Sequence, residues 1–94
     1  MKLTFEWDES KAKTNLKKHN VEFNEGKTIF NDPFLLTFAD IDNSDDEDRY
    51  ISIGLSDRDR ILVLIHTDRQ GRIRIIGCRK ATPRERKFYE ENSF

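Results

Sequence analysis

The order of periodic segments predicts an α+β fold, an antiparallel β-sheet meander with two N-terminal helices and a C-terminal helix, in the order β-α-α-β-β-β-β-α. Three observations carry that expectation. Ile61-Leu-Val-Leu-Ile-His-Thr67, a break at Asp68-Arg-Gln-Gly71 and Arg72-Ile-Arg-Ile-Ile-Gly-Cys-Arg-Lys80 read as a β-hairpin, because both arms are β-rich and glycine sits in the break. Helix-start chemistry occurs near both ends, at Asp8-Glu9 and at Thr82-Pro83-Arg-Glu85. Between the second helix and the last one the chain offers only strand-like runs, and consecutive strands of that kind form a meander.

Taken in order, Lys2 to Trp7 alternate, with Leu3, Phe5 and Trp7 on one side, as in a short amphipathic strand. Asp8 then stands where an N-cap belongs, and a helix is expected through His19 with Asn20 as a left-handed cap. Its apolar stripe is thin, namely Ala12, Leu16 and His19. Asn24 is expected to cap a second helix running to about Asn31, softened by Gly26 and ended by Asp32-Pro33. Phe34–Phe38 and Arg49–Ser56 read as strands, with Asp57-Arg-Asp-Arg60 as a tight turn into the hairpin. The segment Asp40–Asp48 resembles a calcium loop only superficially, since it lacks the glycine of the sharp turn and the terminal glutamate. A solvated loop is the expectation. In the hairpin, Ile61–Ile65 is apolar on both faces, which predicts a central strand covered on both sides. Strict alternation in the second arm places Arg74 and Arg79 on opposite faces.

Ninety-four residues suit a single domain, 1–94. Charged residues are 37% of the chain, but 11% aromatics and clear periodicity exclude a disordered composition. The lone Cys78 cannot form an internal disulfide, and no apolar run is long enough for a signal peptide or membrane span, so the expectation is a cytoplasmic protein with no membrane contact. Net charge is distributed unevenly. Residues 31–57 hold eight acids against one arginine, whereas residues 58–94 hold ten basic residues against five acids. Such a split suits a polyanion-binding face beside an acidic segment, or two halves that neutralise each other in the fold.

Two widely separated histidines and one cysteine give no metal-ligand spacing, and neither a phosphate-binding glycine loop nor a serine-hydrolase elbow occurs. No metal or cofactor is expected. The plentiful Arg and Lys with two His permit metal-free RNA cleavage, in which a ribose 2′-hydroxyl attacks its own phosphate. That reaction needs a base, an acid and cations at the phosphate.

The residues Phe5-Glu-Trp-Asp8, Lys11, Asn15, Lys18-His19, Val21, Phe23, Phe30-x-Asp-Pro33, Glu47-x-Arg49, Ile53-Gly54, His66-Thr67, Ile73-Arg-Ile-Ile76, Arg79-x-Ala81 and Glu85-Arg86-x-x-Tyr89-Glu90, in this order, resemble the BrnT toxin family. The resemblance implies a RelE/ParE-like fold and a ribonuclease toxin of a type II toxin–antitoxin pair. It also implies a BrnA-like, DNA-binding antitoxin that neutralises the toxin and carries it to operator DNA. Under it, Lys18, His19, Arg74 and Arg79 are the candidate catalytic residues, and His66, which corresponds to the family's strand histidine, is a candidate RNA-binding residue. Arg60 and Arg69 flank the hairpin and are candidates for tracking an RNA backbone. Two positions depart from the family: Gly77-Cys78 replaces the usual Ser-Ala, and Gly26 replaces an alanine.

Each candidate has a plainer explanation. Lys17, Lys18 and His19 suit the negative end of a helix, His66 suits an apolar core, and Arg74 and Arg79 suit salt bridges to the acidic loop. Glu85 reads as a cap partner only. A non-catalytic co-repressor acting through its antitoxin, or a toxin aimed at another target such as gyrase, are the alternative functions. Neutralising Asp45, Asp46 and Asp48 is expected to change antitoxin affinity or basal activity if the acidic loop contacts the antitoxin or shields the arginines.

Overall fold

The computed structural model describes residues 3–43 and 47–93. Its elements are β1 (Phe5–Glu6), α1 (Glu9–His19), α2 (Phe23–Gly26) continued by a 3-10 segment (Lys27–Asn31), β2 (Leu36–Ala39), a 3-10 turn (Ile41–Asn43), β3 (Arg49–Leu55), β4 (Ile61–Arg69), β5 (Arg72–Lys80) and α3 (Pro83–Ser93). That is the expected order. The sheet runs β1-β5-β4-β3-β2, and β2 to β5 form the antiparallel meander. The purely antiparallel expectation needs one correction, because β1 pairs parallel with β5, Phe5 beside Ile73 and Glu6 beside Arg74. Strands this far apart in sequence have a long crossover between them, so no hairpin forces them antiparallel.

Local chemistry sets the ends of these elements. Asp8 accepts hydrogen bonds from the backbone N–H groups of Ser10 (2.8 Å) and Lys11 (3.2 Å), and α1 stops where Asn20 turns left-handed at φ 57°. The β4–β5 connection is a two-residue turn in which Gln70 (φ 52°) and Gly71 (φ 79°) are both left-handed, matching the twist of the strands. At α3, Thr82 and Glu85 form the expected reciprocal cap, Thr82 N–H to Glu85 at 2.9 Å and Glu85 N–H to Thr82 at 3.1 Å. The second helix differs from expectation. It starts at Phe23 rather than after Asn24, has no side-chain cap, and tightens into a 3-10 helix at Lys27. Gly26 is there for packing: a Cβ on it would lie 2.9 Å from Cys78 Sγ and 3.0 Å from Leu64 Cδ1.

Both faces of the sheet are covered, unequally. Under α1 and α2 lies the main core of Val21, Phe23, Ile29, Leu62, Leu64, Ile75 and Cys78. On the other face Tyr89 of α3 packs on Ile53 and Val63. Central β4 is buried from Leu62 to Leu64, as its two apolar faces require. Leu16 is exposed, contrary to its expected place in the core, and Asn15 is buried instead. The reason is what α1 lies against. Asn15 receives the N–H of Cys78 (3.1 Å) and donates to the carbonyls of Cys78 (2.7 Å) and Val21 (3.1 Å). Backbone groups left over by a strand edge want an amide, and a leucine would leave them unsatisfied.

Candidate functional site

The site begins with an irregularity in β5. His66 pairs with Ile75 and Ile65 pairs with Gly77, so Ile76 is an extra residue, a β-bulge. One inserted residue reverses the alternation beyond it. Arg74 pairs with Thr67, and Arg79 with Val63, on the same face of the sheet. The expected opposite placement of the two arginines is therefore corrected. Arg49 of β3 also pairs with Thr67, so a row of Arg49, Thr67, Arg74 and Glu6 crosses the sheet, followed by Arg69 beside Arg72. Thr67 is buried in that row, and its hydroxyl has no hydrogen-bond partner among the described residues.

Carboxylates hold these cations in place. Glu6 binds Arg74 at 3.1 Å and Arg72 at 3.2 Å. Glu85 takes Arg79 in a bidentate pair at 2.7 and 2.9 Å, which holds its carboxyl down to about 2 against the opposing effect of burial. Arg69 is held in the same way by Glu47 (both contacts 2.8 Å), whose carboxyl is lowered chiefly by that contact. Arg69 takes its partner from the acidic segment, whereas Glu6 and Glu85, the partners of Arg74 and Arg79, lie outside it. Asp45 and Asp46 lie outside the described residues.

Lys18 and His19 sit elsewhere. They line a groove with Lys11, Thr14 and Asn15 of α1 and Ile76 of β5, and it contains neither Arg74 nor Arg79. Their side chains make no hydrogen bond or ion pair with any described residue. The two groups of candidates lie on opposite faces of the sheet, α1 over the Leu62–Leu64–Cys78 core and the arginines on the Val63–Tyr89 face, and both border the outer edge of β5. β1 covers β5 only through Ile73 and Arg74, and near Gly77 a Cβ would meet only Asn15 Oδ1, at 3.8 Å. Ile76 and Gly77 thus lie between Arg74 and Arg79 along β5, with the Lys18–His19 groove alongside.

Two of the expected RNA contacts are tied into the fold by hydrogen bonds. His66 is only 6% exposed, and its Nε2 is hydrogen-bonded to Ser52 Oγ at 2.8 Å, so it presents no surface to RNA. Arg60 closes over the buried carboxylate of Glu25, which also accepts from Ser56 Oγ at 2.7 Å. Sequence reasoning missed Glu6, because parallel pairing of β1 with β5 leaves no local signal. It also missed the second role of Glu85, although the capping pattern had pointed to that residue.

The family model described as "Ribonuclease toxin, BrnT, of type II toxin-antitoxin system" matches residues 7–85. The chain belongs to the BrnT toxin family. The BrnT match spans Lys18, His19, Arg74, Arg79 and Glu85 and leaves out Glu6. The 1.1 Å crystal structure of the Brucella abortus ribonuclease toxin BrnT is similar in fold, with a TM-score of 0.66, 21% identity, and coverage of 86% of this chain and 99% of that one. No curated protein matches. In this BrnT-family toxin, no group of three or more His, Cys, Asp or Glu among the described residues is placed to hold a metal ion, and no described helix is long and apolar enough to cross a membrane.

Proposed function

We propose that this BrnT-family toxin is a metal-independent endoribonuclease that inhibits translation by cutting RNA at the outer edge of β5. A BrnA-like antitoxin neutralises it and alone contacts operator DNA. The observation that carries this reading is the bulge, which puts Arg74 and Arg79 on one face with Ile76 and Gly77 between them. Five residues of strand separate the arginines by about 16 Å. They therefore approach a phosphate at Gly77 from two sides, or hold two phosphates of one strand, and neither needs the other's exact position.

In this reading the ribose 2′-hydroxyl attacks its adjacent phosphorus, the bond to the 5′-oxygen breaks, and a cyclic phosphate and a 5′-hydroxyl result. His19 and Lys18 exchange the two protons, one removed from the attacking hydroxyl and one given to the leaving oxygen. Arg74 and Arg79 stabilise the charge that builds on the phosphate oxygens, a role that suits a fixed, bidentate donor. To do so each must exchange its carboxylate partner for phosphate.

Purified protein with single-stranded RNA and excess chelator tests the proposal. Cleavage is expected to persist, and His19→Ala and Arg79→Ala are each expected to lower kcat by about 100-fold or more. Strict dependence on added metal would sink the mechanism. Intact RNA, together with operator binding by the toxin–antitoxin complex, would favour a co-repressor instead.

A further inference from the structure

β2 is an outer strand of the sheet, and it is unguarded. Sheet edges are ordinarily blunted by charges or proline within the strand, yet Leu36-Thr-Phe-Ala39 has neither. The N–H of Asp40 bonds to the carbonyl of Arg49 at 2.7 Å. Antiparallel ladders alternate, so Phe38 and Leu36 also bond inward, to Ile51 and Ile53. The N–H and C=O groups of Thr37 and Ala39 consequently point outward. Beside them Phe38 lies against Phe88 with ring centroids 5.6 Å apart, and both rings are about two-fifths exposed (41% each). Ile41, just past the strand, is 82% exposed.

From this arrangement we infer that the free edge of β2 receives an extended segment of a partner protein, carrying basic residues beside apolar ones. Backbone pairing to Thr37 and Ala39 supplies the register, Phe38 and Phe88 take an apolar side chain, and Asp42 and Asp48, exposed beyond the strand, take the cations. Charge selects this occupant over a second copy of the chain. Residues 31–57 hold eight acids and one arginine, and Asp42 and Asp48 are exposed. Pairing two copies through β2 would bring two such stretches together, whereas a basic segment is attracted.

The inference rests on the toxin–antitoxin reading for the partner's identity, so the probe is the purified antitoxin encoded in the same operon. Amide hydrogen exchange is measured on the free toxin and on the complex. Thr37 and Ala39 are expected to exchange about 100-fold more slowly when bound. Ala39→Pro removes only an outward N–H and is expected to weaken binding about tenfold or more with an unchanged melting curve. Asp42→Lys combined with Asp48→Lys is expected to do the same, most at low salt. Protection confined to other residues, with both variants binding normally, overturns the edge while leaving the toxin reading intact. Protection of Thr37 and Ala39 that rises with concentration in the free protein means copies pair there, and overturns it too. Absence of any complex also overturns it, and the toxin reading falls with it only if expression causes no growth arrest.

Discussion

At the scale of single residues, His66 shows what burial does to a titratable group. Its imidazole is stacked on Tyr50 (centroids 5.7 Å apart, 27° between planes) and meets the edge of Phe30 (5.3 Å, 77°). Nε2 bonds to Ser52 Oγ, which bonds onward to Thr37 Oγ1, also at 2.8 Å. Burial lowers its pKa from 6.5 to about 4, outweighing the opposite pull of Asp68. The imidazole is therefore neutral in the fold at pH 7. An unfolded chain takes up this proton near 6.5 and the folded one only near 4. The stabilisation is complete above 6.5 and is lost as the pH falls through that window, amounting to about 3 kcal/mol by pH 4. Urea unfolding measured between pH 7 and 4 is expected to show this loss in the wild type and a flatter profile in His66→Gln. Equal slopes for the two proteins would mean that the histidine is not held neutral.

At the scale of elements, the contact between α2 and β5 is set by Gly26, whose lack of a side chain leaves room for Cys78 Sγ. Adding a Cβ at Gly26 contributes up to about 1 kcal/mol through helix propensity. It also pushes on Cys78 Sγ at 2.9 Å in a buried site, and overpacking of this kind costs about 1–3 kcal/mol. Gly26→Ala is expected to lower stability by about 1 kcal/mol in the wild type, yet to be neutral or stabilising in a Cys78→Ala background. A double-mutant cycle in urea reads the coupling, and additive changes would show that the contact relaxes freely. Sequence reasoning had assigned Gly26 only a softening role. That contrast marks what was legible. Asp8, Asn20 and the Thr82–Glu85 cap could be read because caps depend on neighbours a few residues away. The order of elements could be read because period and turn chemistry are local as well. The extra residue Ile76, the parallel partner of Phe5–Glu6 and the burial of Asn15 could not, since each depends on what a distant strand leaves unpaired. The site inherited that limit. The candidate residues are cations and histidines that the sequence shows directly, but which of them share a face depends on the bulge.

At the scale of the whole molecule, burial of the partner carboxylate separates the cations, since Arg60 pairs with a buried glutamate and Arg74 and Arg79 pair with partly open ones. Glu25 is 4% exposed, and its carboxyl is lowered chiefly by the bond from Arg60. Removing Arg60 strands a buried charge, and such losses cost about 3–5 kcal/mol. Arg79 and Arg74 face partners with partly open side chains, and pairs of that kind contribute about 1 kcal/mol or less. The two classes are expected to separate cleanly when stability and RNA cleavage are measured on the same variants. Arg60→Met should lose several kcal/mol in urea unfolding, on the order of the buried-pair penalty, yet keep its kcat at a temperature where it stays folded. Arg74→Ala and Arg79→Ala should melt within about 1 kcal/mol of the wild type and lose cleavage. Replacing Arg60 and Glu25 together by Met and Leu should restore much of the lost stability, because no charge then remains buried alone. The reverse pattern, a stable but inactive Arg60→Met beside an active Arg79→Ala, would move the proposed phosphate-binding site from the face of β5 to the turn before β4.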